Sequence, residues 1–232
     1  GDGCCGLIEV FLGLIELFLN ARLFRLLQGL LADRRHALVG VLLPRLLLLP
    51  LLHTQLLSDH RTLPVALLLL DVLLAQLEVP ISTVSDSFMA ARQAGAMTIL
   101  NPAPAAELSP ELMSLCDIVI PNEHEIKLLG GVSRLQESGV ETIIVTKGAT
   151  GIDIHHQGMT QRLPSFRVTP LDTTGAGDAF CGSLAASLAA GHDLEDACLR
   201  ALAGGALATT AHGAVPSLPF QDQIEAVIAA SS

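Results

Sequence analysis

Basic residues are scarce in this chain of 232 residues: 13 lysines and arginines stand against 23 aspartates and glutamates, a formal net charge of -10. With a pI near 5.1, the chain lacks the basic face that nucleic acid or an anionic membrane would require, so neither is expected as a partner. A small metabolite fits better. The five cysteines (Cys4, Cys5, Cys116, Cys181, Cys198) form no CxxC pair and no Cys/His ligand spacing. This excludes a disulfide framework and a zinc site and points to a reducing cytoplasm. Uninterrupted apolar runs are missing too. Half of residues 41–70 are leucine, but Pro44, Arg45, Pro50, His53, Asp59, His60, Arg61 and Pro64 break the run, so no window of about 18 clean apolar residues spans a membrane. The opening GDGCCGLIEVFLGLIELFL carries acids where a secretory signal needs positive charge, so it does not read as one.

What is present is enough apolar material, 50% of residues, for one sizeable core, and an α/β domain is the default expectation. Residues 1–72 read as a leucine-rich segment without site chemistry. Beyond it, short β-branched runs alternate with helical stretches: AMTIL at 96–100, DIVI at 117–120 and TIIVT at 142–146. Each is followed at once by a polar or glycine-rich turn: NPAPA, PNEHE and KGATG. This order describes βαβ units and a parallel sheet buried on both faces. Ligands then sit at the carboxyl ends of the strands, where these turns fall. Residues 151–168 alternate around a QG turn and predict a β-meander. His155 and His156, being adjacent in a strand, point to opposite faces and cannot share a metal.

The stretch LDTTGAGDAFCG at 171–182 precedes an apolar helix that should stop at Gly191, with a second helix starting from Asp193. Two close glycines let the backbone approach a ligand, and the amides of a first helical turn point outward. Together with the helix dipole they make an anion hole suited to a phosphoryl group. Asp178, at that positive end, can accept a proton from an attacking alcohol, or can simply favour the helix start. The residues alone leave both readings open.

The full string DTTGAGDAFCGSL resembles the C-terminal signature of the ribokinase-like carbohydrate kinases, also called the phosphofructokinase B family. NPAPA, PNEHE, TKGATG and HGAVPS (212–217) resemble further landmarks in that family's order, and the resemblance runs from about Leu73 to the C-terminus. The competing phosphate loop GxxxxGK[ST] is absent, and the GxGxxG spacing occurs only in GDGCCG at 1–6, apart from the run of landmarks. The resemblance implies a three-layer α/β sandwich with a mainly parallel sheet. It implies ATP-dependent phosphorylation of a sugar's primary hydroxyl, with D-ribose to ribose 5-phosphate the expected reaction. Asp178 matches the family's catalytic base, and Gly175, Ala176 and Gly177 its anion hole. Asn122 and Glu125 match an NxxE motif that helps place Mg2+ and the phosphates, although Glu125 also reads as an exposed helix acid. Thr146, Lys147, Gly148, Ala149, Thr150 and Gly151 match the turn along the nucleotide. Asp172, with backbone oxygens of Thr174, Ala208, Ala211 and Gly213 and the side chain of Ser217, matches a monovalent-cation site for K+. Glu78, in QLEVP, matches a ribose-contacting glutamate or is a solvated strand end.

The family's NxD-type strand end, GGKGxNxA-type glycine motif and small β-sheet lid have no visible counterpart in residues 1–72. The N-terminal part and lid are therefore expected to be missing or altered, along with the homodimer that the lid forms in the family. Two readings follow. One is a sugar kinase. The other is a nucleotide-binding remnant that phosphorylates nothing.

Overall fold

The computed structural model describes residues 71–231. The leucine-rich segment, its boundary near residue 72 and the question of a sugar motif within it lie outside the described residues. Six strands form one sheet in sequence order: β1 (Val72–Gln76), β2 (Met97–Asn101), β3 (Ile118–Val119), β4 (Thr142–Thr146), β5 (Ile152–His156) and β6 (Met159–Leu163). The first four are parallel, and β4, β5 and β6 pair antiparallel. The expected parallel sheet and meander are both present. The meander turn uses Gln157 (φ 50°) and Gly158 (φ 75°), the two positive dihedrals that a two-residue type I′ loop requires.

Strand alternation sends side chains into two separate cores. Leu100, Val119, Ile143 and Val145 pack on one face, with Val84 and Phe88 of α1 (Ile81–Gln93) and Leu112 of α2 (Pro110–Ser114). Ile99, Ile118, Ile120 and Ile144 pack on the other, with Phe180 and Leu184 of α5 (Ala176–Ala189) and Ala201 of α6 (Leu194–Ala208). The sheet is thus the middle of three layers, as the period-2 pattern predicts. Two short helices, α3 (Glu123–Leu128) and α4 (Val132–Glu137), lie between β3 and β4, and α7 (Gln221–Ser231) ends the fold. Among the described residues no helix is long and apolar enough to cross a membrane.

Local chemistry sets the helix ends. The Ser109 side chain accepts from the Leu112 amide ahead of Pro110, and the Asp193 carboxylate accepts from the Asp196 amide at 2.9 Å, as expected for a cap of α6. α5 and α6 meet through small residues. A Cβ added at Gly204 would lie 2.3 Å from Ser183 Oγ, and one at Gly205 would lie 3.2 Å from the Ala176 carbonyl. The glycines of α6 therefore let it approach the first turn of α5. Cys116, Cys181 and Cys198 are buried free thiols. Burial pushes the thiols of Cys116 and Cys198 up to about 12, so they act as small apolar residues.

The β4–β5–β6 unit is braced by Asp153, buried on β5, which pairs with Lys147 and receives two hydrogen bonds from Arg162 on β6, at 2.7 and 3.2 Å. The Arg162 hydrogen bond, followed by Lys147, holds the Asp153 carboxyl down at about 2, against an ordinary 3.8. A carboxyl depressed on folding contributes stability that is present above its unfolded pKa and lost as pH falls through the folded one. We expect this contribution to vanish between about pH 4 and pH 2 in the parent chain. In Asp153→Asn it should be absent throughout, seen as a narrowing gap between the two urea midpoints on acidification. Gly151 (φ 102°) gives a second test, because an added Cβ would lie 2.0 Å from the Leu163 carbonyl and 2.8 Å from Pro164 Cα. Both neighbours are backbone, so Gly151→Ala should cost at least about 2 kcal/mol. Gly148→Ala has open space around its Cβ and should cost about 1 kcal/mol. Equal effects in thermal melts would contradict the packing argument.

Candidate active site

Every candidate side chain lies on a segment that leaves the carboxyl end of a parallel strand or on the loops around the start of α5. Gly175 caps α5 with φ 79° and ψ 0°, and a Cβ there would lie 3.0 Å from Ala214 Cα and Cβ. Only glycine fits. The helix itself begins at Ala176, so Ala176 and Gly177 belong to its first turn and do not precede it as the sequence pattern suggested. The Ala176 amide donates to the Thr173 carbonyl at 3.3 Å, and the Ala179 amide to Gly175 at 2.8 Å. The Gly177 and Asp178 amides have no acceptor among the described residues, and a Cβ at Gly177 would meet no atom within 4 Å. Two amide donors and the positive end of a 14-residue helix thus face an open space that suits an anion.

Asp178 is exposed on this same turn, and its Oδ1 accepts from Gln76 Nε2 at 2.8 Å. Gln76 Nε2 also donates to Asn101 Oδ1 at 2.9 Å, and Asn101 Nδ2 donates to the Ile120 carbonyl at 2.8 Å. The network links the ends of β1, β2 and β3 to α5. Sequence reasoning quoted both residues, in QLEVP and NPAPA, without assigning them a role. The available signal was a polar residue closing each apolar strand at its carboxyl end.

Asp172 ties two loops together. Its Oδ1 accepts from the Thr174 amide and its Oδ2 from the Gly213 amide, each at 2.9 Å. The Gly213 bond, then those of Thr174, hold its carboxyl down at about 2. The Leu171 and Asp172 amides donate to the Thr209 carbonyl at 2.7 and 3.1 Å. The carbonyls of Thr174, Ala208, Ala211 and Gly213 receive no hydrogen bond among the described residues. Ser217 is buried, its hydroxyl donating to the Ala214 carbonyl at 3.0 Å. Carbonyls without donors beside an ionised carboxylate are the hard-oxygen chemistry of an alkali cation.

Asn122 and Glu125 form a reciprocal cap at the start of α3. Asn122 Oδ1 accepts from the His124 and Glu125 amides at 2.9 Å, and Glu125 Oε2 accepts from the Asn122 amide at 2.8 Å. Glu125 is 7% exposed, which removes the reading of a solvated helix acid. Burial, then the charges of Asp178 and Glu125, push the Cys181 thiol upward, so both carboxylates act on one point of α5. The Thr146 amide donates to the Pro121 carbonyl at 2.9 Å, which sets TKGATG beside the NxxE segment. Gly148, Ala149 and Thr150 form an exposed single turn. The Lys147 ammonium is taken up by Asp153, so the turn offers a ligand mainly its backbone. Glu78 is exposed and makes no side-chain bond among the described residues, although the Leu77 amide binds the Ala103 carbonyl at 2.8 Å and brings QLE against NPAPA. Among the described residues no group of three or more His, Cys, Asp and Glu could hold a metal alone.

Residues 55–221 match the pfkB family carbohydrate kinase, a match that starts before the residue-73 limit of the legible motifs. The ribokinase of Staphylococcus aureus (strain COL) is 35% identical over 170 residues, covering 68% of this chain and 56% of that protein. The ribokinase of Haemophilus influenzae is 36% identical over 165 residues, covering 66% and 54%. The chain therefore spans about half the length of these curated relatives. Among solved structures, the ribokinase of Arabidopsis thaliana complexed with ribose and ATP superposes with a TM-score of 0.69 at 25% identity, covering 73% of this chain and 59% of that one. The ribokinase of Thermotoga maritima gives 0.64 at 31% identity, covering 68% and 57%. Sequence and fold agree with the landmarks and the three-layer architecture: the chain belongs to the pfkB family of carbohydrate kinases.

Proposed function

We propose that the chain transfers the γ-phosphoryl group of ATP to the primary hydroxyl of a sugar, with D-ribose as substrate and ribose 5-phosphate and ADP as products. The observation that carries this reading is the pairing, on one helical turn, of the exposed Asp178 carboxylate with the Gly177 and Asp178 amides, which find no acceptor among the described residues. The sugar hydroxyl gives its proton to Asp178 as its oxygen attacks the γ-phosphorus. The bond to the β,γ-bridging oxygen breaks, and ADP leaves with the electron pair. Negative charge spread over the phosphoryl oxygens faces the α5 amides, so the protein contributes positioning and electrostatics. Support for ribose comes from the two bacterial ribokinases and from the Arabidopsis enzyme complexed with ribose and ATP. In this reading Glu78 contacts the ribose, and residues 146–151 lie along the nucleotide.

The donor set fits a magnesium ion that arrives with the nucleotide. Asn122 Oδ1 and Glu125 Oε2 accept from backbone amides of the cap, which leaves Glu125 Oε1 for a cation, and Mg2+ is commonly held by one or two carboxylates, waters and substrate phosphates. Asn122 and Glu125 would help hold it, where it would neutralise phosphate charge. Potassium fits Asp172, the carbonyls of Thr174, Ala208, Ala211 and Gly213, and Ser217, where it would stiffen the loops beside the anion hole.

Calorimetric titration with ATP and then ribose, beside a coupled ADP-release assay, tests the proposal. Ribose-dependent ADP release is expected. Nucleotide binding without it would assign the chain to the remnant reading, which the lack of a legible sugar motif in residues 1–72 favours. Asp178→Asn should lower turnover by ~10²- to 10⁴-fold while ATP affinity stays within a few-fold. Turnover like that of the parent chain would remove Asp178 from its role. Potassium should raise activity or nucleotide affinity over sodium, and Asp172→Ala should erase the difference. Identical titrations in both salts, with Asp172→Ala also silent, would count against the cation site.

A further inference from the structure

We infer that Gln76 is a positioning residue for the phosphoryl-transfer step, holding Asp178 with Oδ1 occupied so that Oδ2 receives the sugar proton. The inference rests on the kinase reading for its chemistry and on side-chain geometry for its residues.

The direction of the network follows from its two ends. The Ile120 carbonyl can only accept, so the Asn101 group facing it at 2.8 Å is the amide nitrogen. That turns Asn101 Oδ1 toward Gln76, where it can only accept, and the group that meets it at 2.9 Å is Gln76 Nε2. The same nitrogen meets Asp178 Oδ1 at 2.8 Å. An NH2 group has two hydrogens, and here one goes to Asn101 and one to Asp178. Neither amide can flip without setting acceptor against acceptor. The backbone carbonyl of Ile120, just past β3, therefore fixes, through two side chains, the rotation of a carboxylate that lies 102 residues from Gln76 along the chain.

The consequence for the reaction is specific. Because Gln76 Nε2 only donates, Asp178 Oδ1 keeps its role as acceptor whether or not the carboxyl is protonated. That bond leaves Oδ1 the less basic oxygen, so a proton leaving the sugar hydroxyl goes to Oδ2 in preference. The sugar oxygen keeps the electron pair of its O–H bond and forms the new bond to phosphorus, and ADP departs with the pair of the bond that breaks. An exposed aspartate without this partner would rotate, and misplacement of a reacting group by about 1 Å can cost ~10²-fold.

The test is Gln76→Met in this chain, which keeps the length of the side chain and removes the donor. We expect kcat for ribose to fall by ~5- to 50-fold with KM for ATP changed less than about twofold. In an Asp178→Asn background the same change should cost nothing further. An unchanged kcat, or a loss that persists in the Asp178→Asn background, overturns the assignment. A second readout needs no turnover. The Gln76 side-chain amide signal in 1H–15N spectra, assigned by its loss in Gln76→Met, should shift and exchange faster with solvent in Asp178→Ala. A signal indifferent to Asp178→Ala overturns the inference. If the parent chain shows no ribose-dependent ADP release, the kinase reading falls, and this amide signal alone decides the Gln76 assignment.

Discussion

Burial of the parallel strands on both faces is the constraint from which the rest of the molecule follows. Ile99 and Leu100, or Ile143 and Ile144, are neighbours in sequence and point into opposite cores with no exposure. A layer apolar on both sides admits a polar side chain along its strands only where it is paired, as buried Thr98 is with Asp117, because an unpaired polar group there would be desolvated without compensation. Polar residues are displaced to the strand ends, and Gln76, Asn101 and Thr146 all stand at the final position of their strands. Parallel pairing puts those ends on one edge. The site is concentrated there because the sheet excludes it elsewhere.

The helices on one face bring the N-terminus of α5 to that edge. α6 reaches the first turn of α5 because Gly204 and Gly205 present no side chain to Ser183 and Ala176. A bulkier residue would hold α6 away from the turn whose amides lack acceptors. The small-residue contact is therefore a packing feature with a consequence for chemistry: it seats the N-terminus of α5 against a fixed neighbour. On the other side, α5 lies over the sheet through Phe180 and Leu184. Interiors pack too densely for such a helix to drift by much.

Much of this was legible in local sequence. The β-branched runs at 96–100, 117–120 and 142–146 marked three of the four parallel strands, β1 going unread, and the QG turn marked the β5–β6 hairpin. The GAG turn, Gly191 and Asp193 marked helix ends to within a residue or two, since caps are written in adjacent positions. What could not be read was any bond between distant positions. Gln76 and Asp178 are 102 residues apart, and no periodicity or cap rule links them. The burial of Glu125 was hidden for a related reason, because it depends on what packs over α3 and not on the NxxE spacing. Lys147 illustrates another limit: TKGATG was matched only as a turn along the nucleotide, and the pairing of its lysine with Asp153, six residues on, was not read. A strand pattern shows which residues alternate in facing but not which charges they meet across the hairpin.

The loops around α5 are joined so that none can shift alone. Asp172 grips Gly213 with one oxygen and Thr174 with the other, two residues short of the capping glycine. Gly175 in turn leaves no room for a side chain beside Ala214, the neighbour of Gly213, since an added Cβ would lie 3.0 Å from its Cα and Cβ. Leu171 and Asp172 also anchor to the Thr209 carbonyl just past α6. The anion-facing turn, the end of α6 and the 212–217 loop thus share one set of short contacts. A cation held by the neighbouring carbonyls would act on all three together, because moving any one would break bonds to the other two. Electrostatic stabilisation of a transferring group depends on donors that are in place before charge develops. In this fold the first turn of α5 is held by Gly175, where an added Cβ would lie 3.0 Å from Ala214, and by one carboxylate, Asp172, whose two oxygens both accept from amides.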